Sequence, residues 1–275
     1  MIFQGDSPLF SFDGKHCEQF GVAFIPSQYP FLRAQTIPGM TLDSRHGSLR
    51  WKGRTFRPCY YKGTLYLLND DGSADMISEK EMLRRASQVT AWLCGKDGRG
   101  KLVLDALDDR YFIAELSGEA PLTDNDWQNG AAVISFACQP FAYSLRENVL
   151  SFQTEAAIVK NVSFSASGNF ETLLAFDVTN TSEGVINMIT IETAETQFVF
   201  SQLLLEPGEV LRCRYTEDDI LLLQITGVDG ALRSAMAMRE PESDDDLLLQ
   251  PGVNSIAIET EQACSVKLTA RGRWL

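Results

Sequence analysis

The distribution of turn residues along this chain constrains its fold more than any other feature. Short apolar or alternating runs recur and are separated at close intervals by dipeptides that reverse the backbone, among them Asp13-Gly14, Pro207-Gly208, Asp229-Gly230 and Pro251-Gly252. Proline fixes φ, glycine adopts positive φ, and an aspartate side chain bonds the turn backbone, so these pairs favour tight turns. Such even punctuation is typical of a β-sandwich or barrel, and we expect an all-β chain.

The runs between these turns have the length and composition of strands. By residue number the predicted strands are 10–13, 64–68, 101–105, 111–115, 132–137, 162–164, 173–178, 185–192, 197–200, 210–215, 220–226, 254–259 and 265–271. Strict alternation over 185–192 places Ile186 and Ile189 on opposite faces of one continuous strand.

One helix is predicted, over residues 78–93. Ser78 and Glu81 have the spacing of a capping box, in which the hydroxyl and the carboxylate each accept a backbone N–H. Gly95 is placed to end the helix in the left-handed conformation. The apolar stripe at helical spacing comprises Met82, Leu83, Ala86, Val89 and Leu93, with Trp92 beside it.

The change in pattern near residues 139–149 predicts a domain boundary. The helix lies before it, and almost pure strand and turn follow it. We therefore predict two domains, 1–143 and 144–275.

The charge balance excludes several functions. The chain has 24 Lys and Arg against 37 Asp and Glu, a formal net charge of −13, and two histidines. Such a field repels phosphate, which argues against non-specific binding to nucleic acid or anionic membranes. Two histidines do not support chemistry that needs a cluster of imidazoles.

Sequence features also predict where the protein is made. No apolar run approaches the ~18 residues of a membrane span, and the first residues lack the basic and apolar regions of a signal peptide. Six scattered cysteines without a C-x-x-C pair are expected to be separate, mostly buried thiols in a reducing cytoplasm.

Three motifs could support nucleotide or nucleophile chemistry, and each has a structural interpretation that we favour. Residues 95–100, GKDGRG, follow a helix and precede a strand, the reverse of a phosphate-binding loop. His16 and Cys17 are adjacent, but neighbouring strand residues point to opposite faces, so adjacency does not make a dyad or a metal site. His46 lies in a sequence that predicts a turn.

Acidic residues offer two further candidates. Asp105, Asp108, Asp109 and Glu115 include pairs that could serve glycoside hydrolysis, which needs two carboxyls facing one cleft. Asp108-Asp109 fits better as the turn of a hairpin joining 102–105 to 111–115. Residues 244–246, DDD, lack the spacing and glycine of an EF-hand, so we interpret them as part of a charged loop.

The aromatic residues of the second half could form a platform for sugar stacking, although core packing is the commoner role in a sandwich. They are Phe152, Phe164, Phe170, Phe176, Phe198, Phe200, Tyr215 and Trp274.

Several short motifs of the first half occur in an order that is also found in a known protein family. They are the strand-turn-strand of residues 10–14 with Phe20-Gly21-Val22, the turn Ser44-Arg45-His46-Gly47, the helix end Val89-Thr90-Ala91-Trp92-Leu93, the hairpin 102–114 and the strand 132–142. The second half adds Glu206-Pro207-Gly208-Glu209, the segment 245–256 with its Pro251-Gly252-Val253-Asn254 turn, and the ending Arg271-Gly272-Arg273-Trp274-Leu275. This order resembles the distal tail protein (Dit) family of phages with long non-contractile tails. Where the family has glycine-arginine-x-glycine, this chain has Ser44 in place of the first glycine.

The resemblance implies a fold and a structural role without catalysis. The N-terminal domain would be sandwich- or split-barrel-like and form a hexameric ring, and the C-terminal domain would be a galectin-like or carbohydrate-module-like β-sandwich. The ring would join the tail tube to tail-tip and receptor-binding proteins of a phage or prophage virion. A ring needs two different subunit surfaces, for which edge strands of the first domain are candidates.

The same resemblance gives the acidity a hypothetical role. Six copies would carry about 78 negative charges, and any share that lines the lumen would repel exiting DNA. The alternatives are a carbohydrate-binding module that recognises host-surface glycans through its second domain, and a glycoside hydrolase using Asp105 or Asp109 with Glu115. We predict no cofactor, no metal, no sequence-specific nucleic-acid partner and no membrane insertion.

Overall fold

A computed structural model describes residues 9–28, 34–36, 39–41, 48–50, 55–68, 78–95, 98–118 and 130–275. Across these residues the chain is all-β with one α-helix, α1 (Glu79–Leu93), which confirms the predicted fold class. The chain divides into two units, of which the first ends at Ala142 and the second spans Tyr143–Trp274. That each is an independent domain stays a prediction. No helix in the described ranges has the length and hydropathy to cross a membrane.

The strands of the first unit form one main sheet and two separate two-stranded sheets. They are β1 (Phe10–Phe12), β2 (Lys15–His16), β3 (Val22–Gln28), β4 (Gln35–Thr36), β5 (Gly39–Thr41), β6 (Ser48–Arg50), β7 (Thr55–Phe56), β8 (Cys59–Leu67), β9 (Arg99–Leu104), β10 (Arg110–Leu116) and β11 (Ala131–Ser144). The order in the main sheet is β2-β1-β9-β10-β11-β8-β3, while β4 pairs with β7 and β5 with β6.

The second unit is a β-sandwich. Its strands are β12 (Asn148–Thr154), β13 (Lys160–Ala166), β14 (Thr172–Asn180), β15 (Ile189–Glu192), β16 (Gln197–Phe200), β17 (Val210–Tyr215), β18 (Leu221–Thr226), β19 (Leu232–Ser234), β20 (Leu248–Leu249), β21 (Gly252–Thr260) and β22 (Cys264–Ala270). A last short strand, β23 (Arg273–Trp274), belongs to neither sheet of the sandwich. The larger sheet has the order β12-β22-β14-β17-β18-β19, with β20 beside β14, and the smaller has the order β13-β21-β15-β16. Residues from both sheets form one buried cluster, which includes Phe176, Leu211 and Val266 from the larger sheet and Phe198 and Ile258 from the smaller.

Two predicted turns adopt the geometry that their residues favour. Asp13 and Gly14 both have positive φ, 48° and 76°, as a two-residue hairpin between β1 and β2 requires. At the second turn Gly252 has φ 99°. The Asn254 carboxamide accepts from Gln250 N–H at 2.9 Å and donates to the carbonyls of Gln250 and Gly252, so it bonds the turn backbone as predicted.

The helix begins where the sequence predicts, but its cap differs in one half. Ser78 Oγ accepts from Glu81 N–H at 3.4 Å. The Glu81 carboxylate accepts instead from Arg84 at 2.6 Å and Arg85 at 2.7 Å. These two guanidiniums, first Arg84, lower the pKa of Glu81 to about 2. The carboxylate half of the predicted capping box is therefore wrong, because cationic donors one turn away bind the carboxylate in preference to a neutral N–H.

The end of the helix also corrects the sequence prediction. The helix is capped by Cys94, and Gly95 is not in the left-handed conformation. A Cβ on Gly95 would lie 2.5 Å from the Ala91 carbonyl oxygen, so glycine serves a close backbone approach at this position. Leu83, assigned to the apolar stripe, is 50% exposed, while Trp92 is buried.

Trp92 anchors the helix on the sheet. Its indole N–H donates to the Phe12 carbonyl at 3.0 Å. Its ring stacks on Phe20 at 4.2 Å and on Phe10 at 5.4 Å between centroids. Sequence periodicity placed Trp92 beside the buried stripe, whereas in the structure it is the main contact of that stripe with the aromatic core.

Several strands differ from their predicted bounds. The predicted continuous strand 185–192 is wrong: Ile186 forms an isolated bridge with Leu205, β15 begins at Ile189, and both isoleucines are buried. A local break in the alternation between them allows both side chains to enter the core. β12 was not predicted, because as an edge strand it alternates between half-buried and exposed residues.

Candidate interaction surfaces

The structure gives His16 a structural role. Its Nδ1 accepts from Glu18 N–H at 3.4 Å and caps a short 3-10 turn at Cys17–Phe20. Its Nε2 lies 3.2 Å from Asp105 Oδ2, a contact that the pairing of β1 with β9 makes possible. Cys17 is buried, and burial raises its pKa, so its thiol is poorly suited to act as a nucleophile.

The carboxylates considered for hydrolysis lie on an exposed hairpin. A 3-10 turn at Asp105–Leu107 and the pair Asp108-Asp109 connect β9 to β10, as the hairpin interpretation predicts. Asp109 is bound by its neighbour Arg110 at 2.7 Å, which lowers the pKa of Asp109. Glu115 is exposed near the other end of β10, paired in register with Arg99. Asp109 and Glu115 therefore lie near opposite ends of β10, so the hairpin does not bring these two carboxylates together.

The acidic segment 240–244 covers an edge of the second unit. Glu240 N–H donates to the Val199 carbonyl at 2.8 Å, and Asp244 N–H donates to the Gln197 carbonyl at 3.0 Å. In return, Ser243 Oγ accepts from Val199 N–H at 2.9 Å and Asp244 Oδ2 accepts from Gln197 N–H at 2.8 Å. The backbone groups on the open side of β16 are thereby satisfied by a loop rather than by another strand.

The remaining sequence candidates are accounted for as follows. Lys96, Asp97 and His46 lie outside the described residues. All six cysteines are free, and five are buried while Cys94 is exposed, as the sequence predicts for separate thiols. No group of three or more potential metal ligands occurs among the residues that the structure describes.

The aromatic residues of the second unit are core residues, so they do not form a stacking platform. Phe164, Phe176, Phe198 and Phe200 are buried, and Phe152 and Tyr215 pack against the buried cluster. Phe170 and Trp274 are half-buried. None of the eight aromatic side chains is among the exposed large hydrophobics of the described chain.

One edge of the first unit's sheet is a candidate contact surface. β3 ends the described strand order, and its only strand neighbour there is β8. Pro26 lies on β3, followed by a register shift between Pro26 and Gln28. Proline and bulges both limit pairing at an edge, so the part available to another strand is Val22–Ile25.

A second candidate surface is the outer face of the larger sheet in the second unit. One row of side chains crosses all six strands in register. From β12 to β19 it runs Ser151, Lys267, Asp177, Arg212, Gln224 and Ser234. Strands lie about 4.8 Å apart, so five intervals give a polar row about 24 Å long. We call these six residues the polar row.

Asp177 holds the arginines of this face. Arg214 Nη2 donates to both carboxylate oxygens of Asp177 at 2.7 Å, and Arg212 Nε lies 3.7 Å from the same carboxylate. Arg214 Nη1 also donates to the Phe176 carbonyl, which fixes its orientation. Lys267, next to Asp177 in the row, is exposed and has no ion-pair partner among the described residues.

Comparison with solved structures gives the class of fold: that of phage-tail hub proteins. The SPP1 Dit protein, described as a paradigm of hub adsorption apparatus in phages that infect Gram-positive hosts, matches with a TM-score of 0.65 at 12% identity over 98% of this chain and 99% of that chain. A chain of the phage P2 baseplate in its activated conformation matches with a TM-score of 0.50 at 10% identity, over 96% and 98%. The chain therefore has the fold of the SPP1 Dit protein over 98% of its length. No protein-family model and no curated protein sequence matches it.

The polar row could have been found only in part from the sequence. The alternation in RCRY and SVKL predicts that Arg212, Arg214 and Lys267 face outward. Their alignment with Asp177 depends on the order β22-β14-β17, in which strands distant in sequence are neighbours, and no local pattern encodes that order.

Proposed function

We propose that this protein is a structural component of a phage tail tip, in which six copies form a ring joining the tail tube to tip and receptor-binding proteins. In this proposal it has no catalytic activity and is made in the bacterial cytoplasm before assembly into the virion. Its partners are other copies of itself, the tail tube protein and the tail-tip and receptor-binding proteins.

One observation carries the proposal. Both units match the SPP1 Dit protein in a single alignment that covers 98% of this chain and 99% of that chain. A shared sandwich alone is common to many functions, but the succession of two different β units over the full length is more specific.

The open stretch of β3 is the surface that we assign to the ring. Backbone N–H and C=O groups along an edge strand can pair with a strand of another chain. A closed ring requires each subunit to offer two different surfaces, and an edge followed by Pro26 can take only a short partner strand. We therefore propose that β3 supplies one of the two surfaces.

Electron microscopy of the purified chain tests the ring directly. We expect six-fold rings in negative stain and a hexamer by light scattering. Ile25→Lys and Ile25→Arg each place a positive charge on the available part of β3. Both should reduce the hexamer fraction at a given concentration, because a charged side chain on an edge opposes strand pairing.

The matched control for these variants is Gln88→Lys, which adds the same charge on an exposed residue of α1. This control should form rings like the unmodified chain. A monomer with no rings at any concentration tested would contradict the proposed assembly. Rings unaffected by both β3 variants would leave assembly intact and contradict the assignment of β3.

Passage of DNA through the ring is the second part of the proposal. The chain carries a net charge of −13, which opposes adhesion of a polyanion wherever that charge faces it. A ring reconstruction with a neutral or basic lumen would contradict this role of the acidity.

A glycan-binding second domain remains the alternative, but only for recognition that does not depend on stacking against aromatic rings. Stacking of sugars on aromatic rings is disfavoured, since six of the eight aromatic candidates are in or against the core and the other two, Phe170 and Trp274, are half-buried. Recognition through charge and hydrogen bonds is favoured by the polar row and is developed below.

A further inference from the structure

The outer face of the larger sheet has a charge opposite to that of the chain. Its six strands contain Lys267, Arg212, Arg214 and Arg233 but only one acidic residue, Asp177. Arg233 is bound by Glu209 at 2.6 Å, outside these strands. The face therefore has three cations against one carboxylate, in a chain whose net charge is −13.

The cationic side chains that make up this excess are partly exposed to solvent, and one of them, Arg214, is oriented by contacts on the face. The side chains of Arg212 and Arg214 are 44% and 43% exposed, while that of Asp177 is 19% exposed. The Asp177 carboxylate accepts two hydrogen bonds from Arg214, whereas Arg212 Nε lies 3.7 Å from it, beyond hydrogen-bonding distance. Arg214 already donates four hydrogen bonds, so Arg212 and exposed Lys267 are the cations available to a carboxylate or phosphate group.

We propose that this face binds an acidic polysaccharide, which lies across the strands along the polar row. Lys267 and Arg212 contact its anionic groups. Ser151, Gln224 and Ser234 extend the row on both sides with hydroxyl and amide groups that can bond sugar hydroxyls. Asp177 orients Arg214 and competes with the ligand for Arg212.

The distribution of residues on this face favours a polysaccharide over a protein. Protein interfaces have an apolar, aromatic-rich centre that is depleted of charge, and a polar rim. Here the centre is charged, although exposed Leu222 on β18 is paired with Arg214, and the other exposed apolar residues of the same strands, Val149 on β12 and Leu232 on β19, lie on the outermost strands. A hydrated polyanion fits a charged centre, because water and mobile hydroxyls satisfy the groups that it does not neutralise.

The length of the row favours a polymer over a single ion. The hydrogen-bonding side chains extend over about 24 Å, several times the size of one carboxylate or phosphate group. Nucleic acid is disfavoured by the long-range field of the whole chain, because a high density of phosphates meets more repulsion than a sparsely charged sugar polymer.

The test is binding of the full-length chain to polygalacturonate, with uncharged dextran of similar length and poly-L-glutamate as comparison probes. We expect binding to polygalacturonate that weakens as NaCl is raised, and none to dextran. The double variant Arg212→Gln with Lys267→Gln should weaken binding roughly three- to tenfold, as expected for two exposed charge contacts.

Two further variants separate a binding role from a structural one. Arg146→Gln with Lys160→Gln removes the same charge from exposed residues of the second unit outside the polar row, and it should leave affinity unchanged. Asp177→Asn removes the competing carboxylate and should raise affinity for polygalacturonate roughly two- to fivefold. A purely structural role for Asp177 predicts no gain.

Three outcomes would overturn the inference. The first is equal binding to dextran and polygalacturonate. The second is preferential binding to poly-L-glutamate, which would indicate an acidic protein partner. The third is equal weakening of polygalacturonate binding by the two double variants. None of these depends on ring formation, so failure here and failure of the proposed assembly are distinguishable. Thermal unfolding of each variant establishes that the comparison is made on folded protein.

Discussion

Individual residues hold this structure together where the chain reverses or where charge is buried. Asn254 is 7% exposed and makes three hydrogen bonds to the turn that precedes β21. Glu209 is 8% exposed, and its carboxylate accepts from Glu206 N–H at 2.9 Å and from Arg233 at 2.6 Å. In both cases a polar side chain is buried because its bonds to neighbouring groups replace those to water.

Asn254→Ala is expected to lower the free energy of unfolding by about 2 kcal/mol, because three bonds to the turn backbone are lost. Urea unfolding followed by circular dichroism measures the change. Asn161→Ala, at an exposed residue of β13, is the control and should stay within about 0.5 kcal/mol. Equal effects of the two substitutions would show that the Asn254 bonds contribute little.

The second residue-scale prediction concerns Asp246. Burial, and then the charge of Asp245, raise the pKa of the Asp246 carboxyl, while Arg273 opposes the shift. The folded chain therefore holds this proton more tightly than the unfolded chain, and the stability contribution of Asp246 falls as pH rises through the carboxyl range.

Asp246→Asn should accordingly raise the free energy of unfolding at pH 7. The gain should shrink as pH falls and disappear below pH ~3, where the carboxyl is protonated in both states. Urea unfolding at both pH values is the measurement, with Glu242→Gln as a control of equal charge change on an exposed residue. A gain that is the same at both pH values would contradict the role of the Asp246 proton.

At the scale of secondary-structure elements, the terminal strands of the sheets differ in how their outer backbone edges are covered. In the smaller sheet of the sandwich β16 is a terminal strand, and the acidic segment 240–244 satisfies its outer backbone groups. In the first unit β3 is also terminal, and Pro26 lies on it. One edge is thus covered within the chain, and the other has a single strand neighbour, β8, among the described residues.

Ser243→Ala with Asp244→Ala should expose the edge of β16. The amides of Gln197 and Val199 lose their side-chain acceptors, and their hydrogen exchange is expected to accelerate about fivefold or more. Amide exchange resolved by residue gives the answer, and Glu242→Ala in the same segment should leave these two amides unchanged. Unaltered exchange in the double variant would mean that the backbone bonds of the segment are sufficient.

The sequence predicted elements well where the pattern is local. Val210–Tyr215 and Gln197–Phe200 have their predicted bounds, since alternation ends at a turn on both sides. Helix α1 began at its predicted cap, whereas the partner of Glu81 and the conformation of Gly95 depend on side chains and backbone one turn away. β12 escaped prediction because its apolar residues are only half-buried at an edge.

At the scale of the whole molecule, the chain consists of two units that each contain their own buried residues. The buried cluster of the sandwich is drawn entirely from the second unit, from Phe164 to Ala270. Turn spacing and alternation were enough to predict an all-β chain, whereas the division into two domains stays a prediction. The order of strands within each sheet was not predictable, since β14 pairs with β17 and β22 across long sequence separations.

A fragment of residues 143–275 is expected to fold on its own and to unfold in one cooperative transition, because its core needs no residue of the first unit. Circular dichroism during thermal unfolding measures this. A fragment that starts at residue 155 loses β12 and the Thr154 hydroxyl, which lies 3.0 Å from that of Thr260. It should unfold at a lower temperature. Failure of the longer fragment to fold would contradict the division into two domains.

The cover on β16 also has a consequence for synthesis of the chain on the ribosome. Residues 240–244 follow β16 by about 40 residues. At a translation rate of 5–20 residues per second, roughly 2–8 s pass between the synthesis of β16 and the synthesis of the segment that covers it. During that interval the nascent hairpin of β15 and β16 has an unprotected side. In chains that terminate before residue 240, this side of the hairpin stays unprotected permanently. Such chains should be recovered with chaperones or in aggregates rather than in assembled particles.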